Sequence, residues 1–512
     1  MKKITKLLAA VLVLGLTLAA FTSCKKETAN SATDIEISFW EGSFGVDYMK
    51  DIVSEFNSVY PEYKVNLRTS KSSETVANTL QKGQNDTTDI YMNQNQTSAF
   101  INYTDLFMDL SEIASEKIDG ENKSIAEKYD PSLFNSLKDS NGDLKKLGWA
   151  GSVTGFIYNA DIIDGKNYTE PRTTDELTDL VNDLQDSYKD KKVFVQLKDA
   201  RMGYYQYLVK AWMAQYCGLD YYNNNWLTLT DESGKAPSKE VYLSETDGRK
   251  QALEVLGSIL SDKTILEKPD KFEVARRFKL DEGIMMANGN WILGEVAELK
   301  DKNIKMMRTP VISALADKLE TVSDDDELKA LVSAIDNVLD NGAEVSLTGK
   351  GYDVSEEDWN RVYTARTTVY HNGSEHAMIV NKYTNAKEGV KKFIQFYYSD
   401  KGLAKFINAT HSAANANLID SSLVSTNGWT NYEKTQYERS FNSVYVTDGN
   451  AVSPVFGSNA ALHMYGTVDI VGALTNSNEK ERKDAAKLWE ELKKNVNAST
   501  GWTAWLRNAG IE

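Results

Sequence analysis

The chain has 512 residues, 41% of them hydrophobic, so it can build one large core or two. Its 74 acidic residues outnumber 58 basic ones, a net charge of −16 that argues against nucleic acid, whose phosphates need cationic neutralisation. Two cysteines and four scattered histidines make a disulfide framework or a histidine-based metal site improbable, and no CxxC, HExxH, P-loop or GxSxG pattern occurs.

Lys2, Lys3 and Lys6 precede an uncharged apolar run, 7–21, that is shorter than the roughly 20 residues of a spanning helix. This pattern is a secretory signal, residues 1–23. It ends in Phe21-Thr22-Ser23-Cys24, which resembles a bacterial lipobox, with Phe21 where leucine is usual. The resemblance implies cleavage before Cys24, acylation of that residue, and attachment to the cell membrane by more than one acyl chain, palmitate among them. The alternative is ordinary cleavage with Cys24 as a bystander. A polar tether, 24–33, follows. Removing the signal takes away three lysines and no acid, which lowers the net charge to about −19. With Cys24 acylated, Cys217 has no intrachain partner.

Ile35, Ile37 and Phe39 alternate as a strand. Met49, Ile52, Val53, Phe56 and Tyr60 recur at helical spacing until Pro61, and Val65 and Leu67 resume the alternation. A strand, helix and strand this close imply a parallel pair with a right-handed crossover. Val76, Ala77 and Leu80 predict a second helix ending near Gly83, and residues 89–92 a third strand. The fold class is α/β. Ligands of open parallel sheets sit beyond the carboxyl ends of the strands. Those ends carry Trp40-Glu41-Gly42, Thr69-Ser70-Lys71 and Asn93-Gln94-Asn95-Gln96. Rings stack on sugar C–H faces while carboxylates and amides bond hydroxyls, which makes Trp40, Glu41, Asn93 and Gln94 candidate sugar contacts; the alternative is a core tryptophan with amides that make turns.

Further on, LGWAGSVTGFIYNADII (147–163) sets Trp149 among Gly148, Gly151 and Gly155, so it reads as a flexible crossing with a ring beside it. The segment 199–271 is rich in Tyr, Trp and Asn. Tyr205, Leu208, Val209, Trp212 and Met213 have helical spacing and read as core, whereas Asn223-Asn224-Asn225-Trp226 reads as a loop. Leu328, Leu331, Val332, Ile335 and Val338 mark an amphipathic helix capped by Ser323 and acids. Asp139-Ser140-Asn141-Gly142-Asp143 lacks the spacing of a calcium loop and reads as a turn. Tyr397-Tyr398 lie on an amphipathic helix, where packing is a better account than iron binding. No pair of carboxylates has a context that singles it out as catalytic.

Phe39-Trp40-Glu41-Gly42, SEFNSVYPEYKVN (54–66), Thr88-Asp89-Ile90, the Gly148–Asp161 stretch, Pro171 to Leu177, GIMMANGNW (283–291) and FIQFYYSDKGLAKF (393–406) run in the order found in family 1 extracellular solute-binding proteins, and the chain resembles that family of carbohydrate ABC-importer components, which are maltose-binding-protein-like. The departures are Thr88 for proline, a missing proline before Trp149, Thr174 for tryptophan, and His411-Ser412-Ala413-Ala414 for a G-x-x-P turn. The resemblance implies two α/β lobes of the type II periplasmic-binding-protein-like fold with ligand in the cleft between them. Lobe 1 would be 34–151 and 375–417, and lobe 2 would be 155–371, with insertions, and 418–512. Tyr370-His371 would be the return crossing. Ligand contacts would include Trp149, Asn290, Trp291 and His371. The resemblance further implies no catalytic residue, metal or cofactor. It implies a monomer on the outer, extracellular or periplasmic, face of the membrane that hands a sugar, an oligosaccharide given the aromatic insertion, to permease subunits. The alternatives are a secreted glycan-active enzyme and a ligand-sensing lipoprotein that works with a membrane kinase.

Overall fold

A computed structural model of the chain describes residues 32–508, apart from 43, 95–96, 140, 167, 199–201, 344–346, 348–353, 372–375, 442, 450–452 and 457–462. Cys24, the signal and nearly all of the tether lie outside the described residues.

Twelve strands are present among them. In chain order they are β1 (Asp34–Trp40), β2 (Lys64–Ser70), β3 (Ile90–Gln94), β4 (Leu147–Gly148), β5 (Thr154–Asn159), β6 (Lys192–Leu197), β7 (Ile265–Lys268), β8 (Gly283–Gly289), β9 (Ile304–Met306), β10 (Thr368–Tyr370), β11 (His376–Val380) and β12 (Val444–Val446). They form one sheet of order β2-β1-β3-β11-β4, a second of order β7-β6-β8-β5-β9, and a parallel pair β10-β12. The expected βαβ opening is there. β1 and β2 run parallel with Ile35 opposite Val65, joined by the helix Asp47–Val59, which buries Tyr48, Met49, Ile52 and Phe56 against the sheet. In both sheets the parallel core carries antiparallel strands, β11 beside β3 and β5 beside β8. Every residue of β5 and β8 is buried, as in sheets covered on both faces. Successive side chains of β5 serve different layers: Phe156 and Tyr158 join the core of the insertion and carboxyl-terminal helices, and Ile157 joins a core continuous with that of the first sheet.

The chain passes between the sheets first at residues 149–153. β4 pairs with β11, and β5 opens the second sheet. Three tyrosine hydroxyls hold the near end of this crossing. Tyr129 and Tyr398 donate to the Gly148 carbonyl at 2.9 and 2.6 Å, and Tyr397 donates to that of Trp149 at 2.8 Å. The paired tyrosines on the helix Lys387–Tyr398 thus fasten backbone. A later passage lies alongside, where the Gly151 N–H donates to the Ala413 carbonyl at 3.1 Å. Beyond it the helix Asn431–Ser440 packs on the second sheet, and Thr435 Oγ1 accepts from the N–H of Met306 in β9.

Several local expectations are refined. The helix after β2 is α-helical only over Ser73–Ala77 and continues as tighter 3₁₀ turns to Asn85. The helix Asp325–Asn341 is capped by Asp324, which accepts from the Glu327 N–H, one residue later than Ser323. Asp139 folds back on the N–H groups of Asn141 and Asp143, which is a turn. The asparagine run before Trp226 is a helical turn and not an open loop. Trp226 is fully buried because the Arg249 guanidinium lies over its ring at 4.1 Å and over Tyr242 at 4.7 Å. That guanidinium is itself satisfied by Asp247 at 3.0 Å and by the Met464 carbonyl at 2.7 Å, as a buried cation must be.

Gly151 is used for clearance: a Cβ there would stand 2.6 Å from the Ala413 carbonyl oxygen. Gly151→Ala must push the two crossings apart, which costs about 1–3 kcal/mol as overpacking does. The expected outcome is a melting temperature lower by a few degrees in differential scanning calorimetry, with Gly165→Ala, whose Cβ would meet nothing nearer than 3.9 Å, as the neutral control.

Candidate site in the cleft between the sheets

The ends of β1, β3 and β8 and the two crossings converge on one seam. β1 ends in Trp40, whose indole N–H donates to the Lys71 carbonyl at 3.2 Å and whose ring stacks on His376 at 5.7 Å. The ring lies so close over Gly42 that a Cβ there would come within 1.8 Å of it. β8 ends in the same device: Trp291 covers Gly289, where a Cβ would fall 2.1 Å from the ring. Trp291 meets the edges of Tyr204 and Tyr207, and Tyr207 stacks on Tyr370 at 5.0 Å and 8°. Lys210, buried beneath, lies 4.5 Å from the Tyr370 ring and is neutralised by Asp448 at 2.6 Å.

Trp149 does not present a ring to the seam. It is 1% exposed, enclosed by Phe39, Phe44, Tyr48 and His376, and its indole N–H points to the Asn93 carbonyl at 3.4 Å. The reason is packing: the crossing leaves β4 directly over the first core, and the ring fills that space. Asn93 is fully buried and donates to the Ser73 carbonyl at 2.9 Å. Glu41 and Gln94 are half-buried at the strand ends, the Glu41 N–H donating to the Ser70 carbonyl at 2.9 Å and Gln94 standing opposite His376 across β3 and β11. Asn290 ties β8 to the crossing, its backbone N–H donating to Val153 and its side-chain amide to Gly151, both at 3.0 Å. His371 accepts the Ser152 N–H on Nε2 at 3.2 Å and packs on Tyr445. Thus Asn93, Trp149, Asn290 and His371 join one network around the crossing, while Trp40 and Trp291 stand on its two sides.

Between the two sheets an open pocket of about 290 Å³ is lined by Phe44 and Gly45 after β1, by Asn290, Leu293 and Lys300 after β8, and by His411, Tyr432, Glu433 and Gln436 of the late crossing. Its size lies at the lower end of the range of small-molecule sites. His411 stacks on Trp429 at 4.7 Å and its Nδ1 lies 2.9 Å from Glu433. Burial pushes the Glu433 carboxyl up, but the Thr430 N–H, the Thr430 hydroxyl and His411 outweigh it, and the net direction is down. Phe44, His376, His411, Glu433 and Gln436 were not among the ligand contacts expected from sequence. One signal was legible: Thr430 and Glu433 form a capping box, so the carboxylate had a fixed position at a helix start.

Burial holds both His371 and His376 neutral, with pKa values near 3 against an ordinary 6.5, and the nearby His376 lowers that of His371 further. The unfolded chain protonates both near pH 6.5, whereas the folded chain does not until about pH 3. Their contribution to stability is therefore complete above pH 6.5 and is lost as the pH falls toward 3, by about 1.4 kcal/mol per pH unit for each histidine. Urea unfolding between pH 6 and 4 should show this steep loss, and His376→Phe should reduce its slope by about one histidine's share.

Comparison of the fold with solved structures gives neighbours that align over nearly the whole of both chains. A probable secreted solute-binding lipoprotein from Streptomyces coelicolor aligns with a TM-score of 0.58 at 13% identity, covering 91% of this chain and 100% of that one. RafE from Streptococcus pneumoniae aligns with a TM-score of 0.55 at 14% identity over 91% and 99%. The cyclic α-maltosyl-1,6-maltose binding protein from Arthrobacter globiformis aligns with a TM-score of 0.58 at 11% identity over 91% and 98%. At such identities the likeness establishes the two-lobed α/β fold alone. A comparison with curated sequences gives no match. The family model described as bacterial extracellular solute-binding protein matches residues 51–428, most of the chain, and the protein belongs to that family.

Proposed function

We propose that this protein is the sugar-capturing component of an ABC importer. It would be held outside the cell by lipid on Cys24, act as a monomer, and pass its ligand to permease subunits after the lobes close. The observation that carries the reading is the pocket between the strand ends of the two sheets, where a carboxylate and amides meet aromatic rings in one cleft. That chemistry suits hydroxyl-bearing ligands: hydroxyls take hydrogen bonds from and to amides and carboxylates, and ring C–H faces lie on aromatic side chains. The named neighbours support it, since the Arthrobacter protein binds cyclic α-maltosyl-1,6-maltose and RafE has been observed with raffinose. The ligand contacts would be Trp40, Glu41, Gln94, Asn290 and Trp291, joined by Phe44, Tyr204 and Glu433; Asn93 and His371 would hold the floor beneath them. An oligosaccharide is favoured over a single sugar by the number of aromatic residues that the insertion brings to the end of β8, Tyr204 and Tyr207 beside Trp291 among them. The ligand would act by binding the closed form better than the open one.

The test is a thermal-shift screen of the mature chain with raffinose, maltotriose and a cyclic glucan, beside peptides and polyamines. A ligand present at one hundred times its Kd stabilises the native state by about 2.7 kcal/mol, a shift of a few degrees. A sugar should produce that shift and be recovered unchanged by chromatography, and Trp291→Ala should weaken its binding about tenfold, ~1.4 kcal/mol. A shift with peptides or polyamines alone would reject the sugar reading, and a cleaved sugar would reject binding without catalysis.

A further inference from the structure

His411 ends the helix Asp400–Thr410 in the left-handed region, at φ +53°, with its backbone N–H donating to the Ile407 carbonyl at 2.8 Å. Glycine takes that conformation freely and asparagine readily, whereas a histidine crowds its Cβ there. The backbone gains nothing from the imidazole, which points to a use for the ring itself. That ring is fixed on two sides. It stacks on Trp429 at 4.7 Å and 27°, and its Nδ1 lies 2.9 Å from Glu433. Glu433 is fixed in turn at the start of the helix Asn431–Ser440, where one carboxylate oxygen accepts from the Thr430 N–H at 2.7 Å and from the Thr430 hydroxyl at 2.9 Å. Carboxylate, imidazole and indole thus hold one another.

This unit leaves one polar atom unused. Nothing among the described residues bonds His411 Nε2, and the atom is not enclosed: the side chain is 32% exposed, on a residue that lines the pocket between the sheets. The Glu433 carboxyl is held below its usual range, so it is ionised and only accepts, and the proton facing it belongs to Nδ1. In the neutral ring Nε2 is then an acceptor, and in the imidazolium it is a donor. A hydroxyl answers both, since it donates or accepts as its O–H turns. Phe44, in the same lining, offers an apolar ring to the carbon face of such a ligand.

We infer that His411 is a ligand contact of the cleft, whose Nε2 hydrogen-bonds a hydroxyl of the captured sugar, and that Glu433 and Trp429 act through it as positioning residues by fixing its tautomer and its plane. This inference rests on the sugar-binding reading. It adds a directional bond supplied by the late crossing, at a position where the backbone alone would favour glycine. An imidazole held through its other nitrogen keeps one orientation before its ligand arrives, so little freedom is lost on binding.

Isothermal titration of the mature chain with raffinose, maltotriose and a cyclic glucan finds a sugar that binds, and two substitutions then separate contact from scaffold. His411→Gln places an amide near the position of Nε2. His411→Asn places one near that of Nδ1, suits the left-handed backbone and still meets Glu433. Affinity should fall about fivefold in His411→Asn, the loss of one hydrogen bond, and stay within about twofold of wild type in His411→Gln. Affinity kept in His411→Asn, or an equal loss in both variants, would overturn the inference and leave sugar binding intact. A readout on the unaltered chain stands beside these if a variant does not fold: with ¹⁵N-labelled histidine, one of four being His411, the His411 Nε2 resonance should move when the sugar is added. A resonance unmoved at saturation would overturn the inference alone, and no binding of any of the three sugars would overturn the sugar-binding reading with it.

Discussion

The arrangement of the two sheets depends on how one short piece of backbone is held. The carbonyls of Gly148 and Trp149 are fixed to the first lobe by three tyrosine hydroxyls, each bond worth about 1 kcal/mol net and much more to lose once buried. Five residues later the chain is fixed to the other side: the Thr154 hydroxyl donates to the Tyr370 carbonyl at 2.9 Å, and Thr154 pairs with Gly289 across β5 and β8. Only residues 150–153 lie between the two attachments. Any rotation of one lobe against the other must be absorbed there and in the neighbouring passages, and those four residues are themselves tied by Ala413, His371 and Asn290. A connection built this way is short and tied along its length by hydrogen bonds to neighbouring segments, not loosened by glycine.

The same seam explains why so many polar groups are buried in one place. A crossing has no sheet partner for its full length, so its N–H and carbonyl groups must be satisfied by side chains. Asn290, His371 and the tyrosines of the helix Lys387–Tyr398 do this. The pocket is then the space left where these satisfying side chains stop. Asn290 belongs both to the pocket lining and to the crossing, since its side-chain amide donates to the Gly151 carbonyl.

Much of the fold was legible because local patterns carry it. The alternation of Ile35, Ile37 and Phe39 and the helical spacing from Met49 to Phe56 specify a βαβ unit without reference to the rest of the chain, and the family-ordered motifs led to the right family and the two-lobed α/β class. The direction of individual rings was not legible. Trp149 sits among glycines in sequence, which suggested a flexible crossing with a ring turned to ligand, but Phe39, Phe44, Tyr48 and His376 come from distant segments and enclose it. Trp226 was misjudged for the same reason, since the guanidinium that covers it belongs to Arg249 on a separate helix. Glu433 and Gln436 escaped notice because they lie on a polar helix with no apolar stripe to draw attention, and only the late crossing brings them to the pocket.

The tryptophans at the ends of β1 and β8 each rest on a glycine too close to bear a side chain. Ring and glycine are therefore one unit of inheritance. Should Gly42 or Gly289 drift to any other residue, its tryptophan loses its seat. Conversely, a descendant that exchanges Trp40 or Trp291 for a small side chain frees its glycine to vary. Across related chains the two positions of each pair should change together, so that these strand ends are remodelled in two discrete steps, one per sheet, and not by gradual substitution.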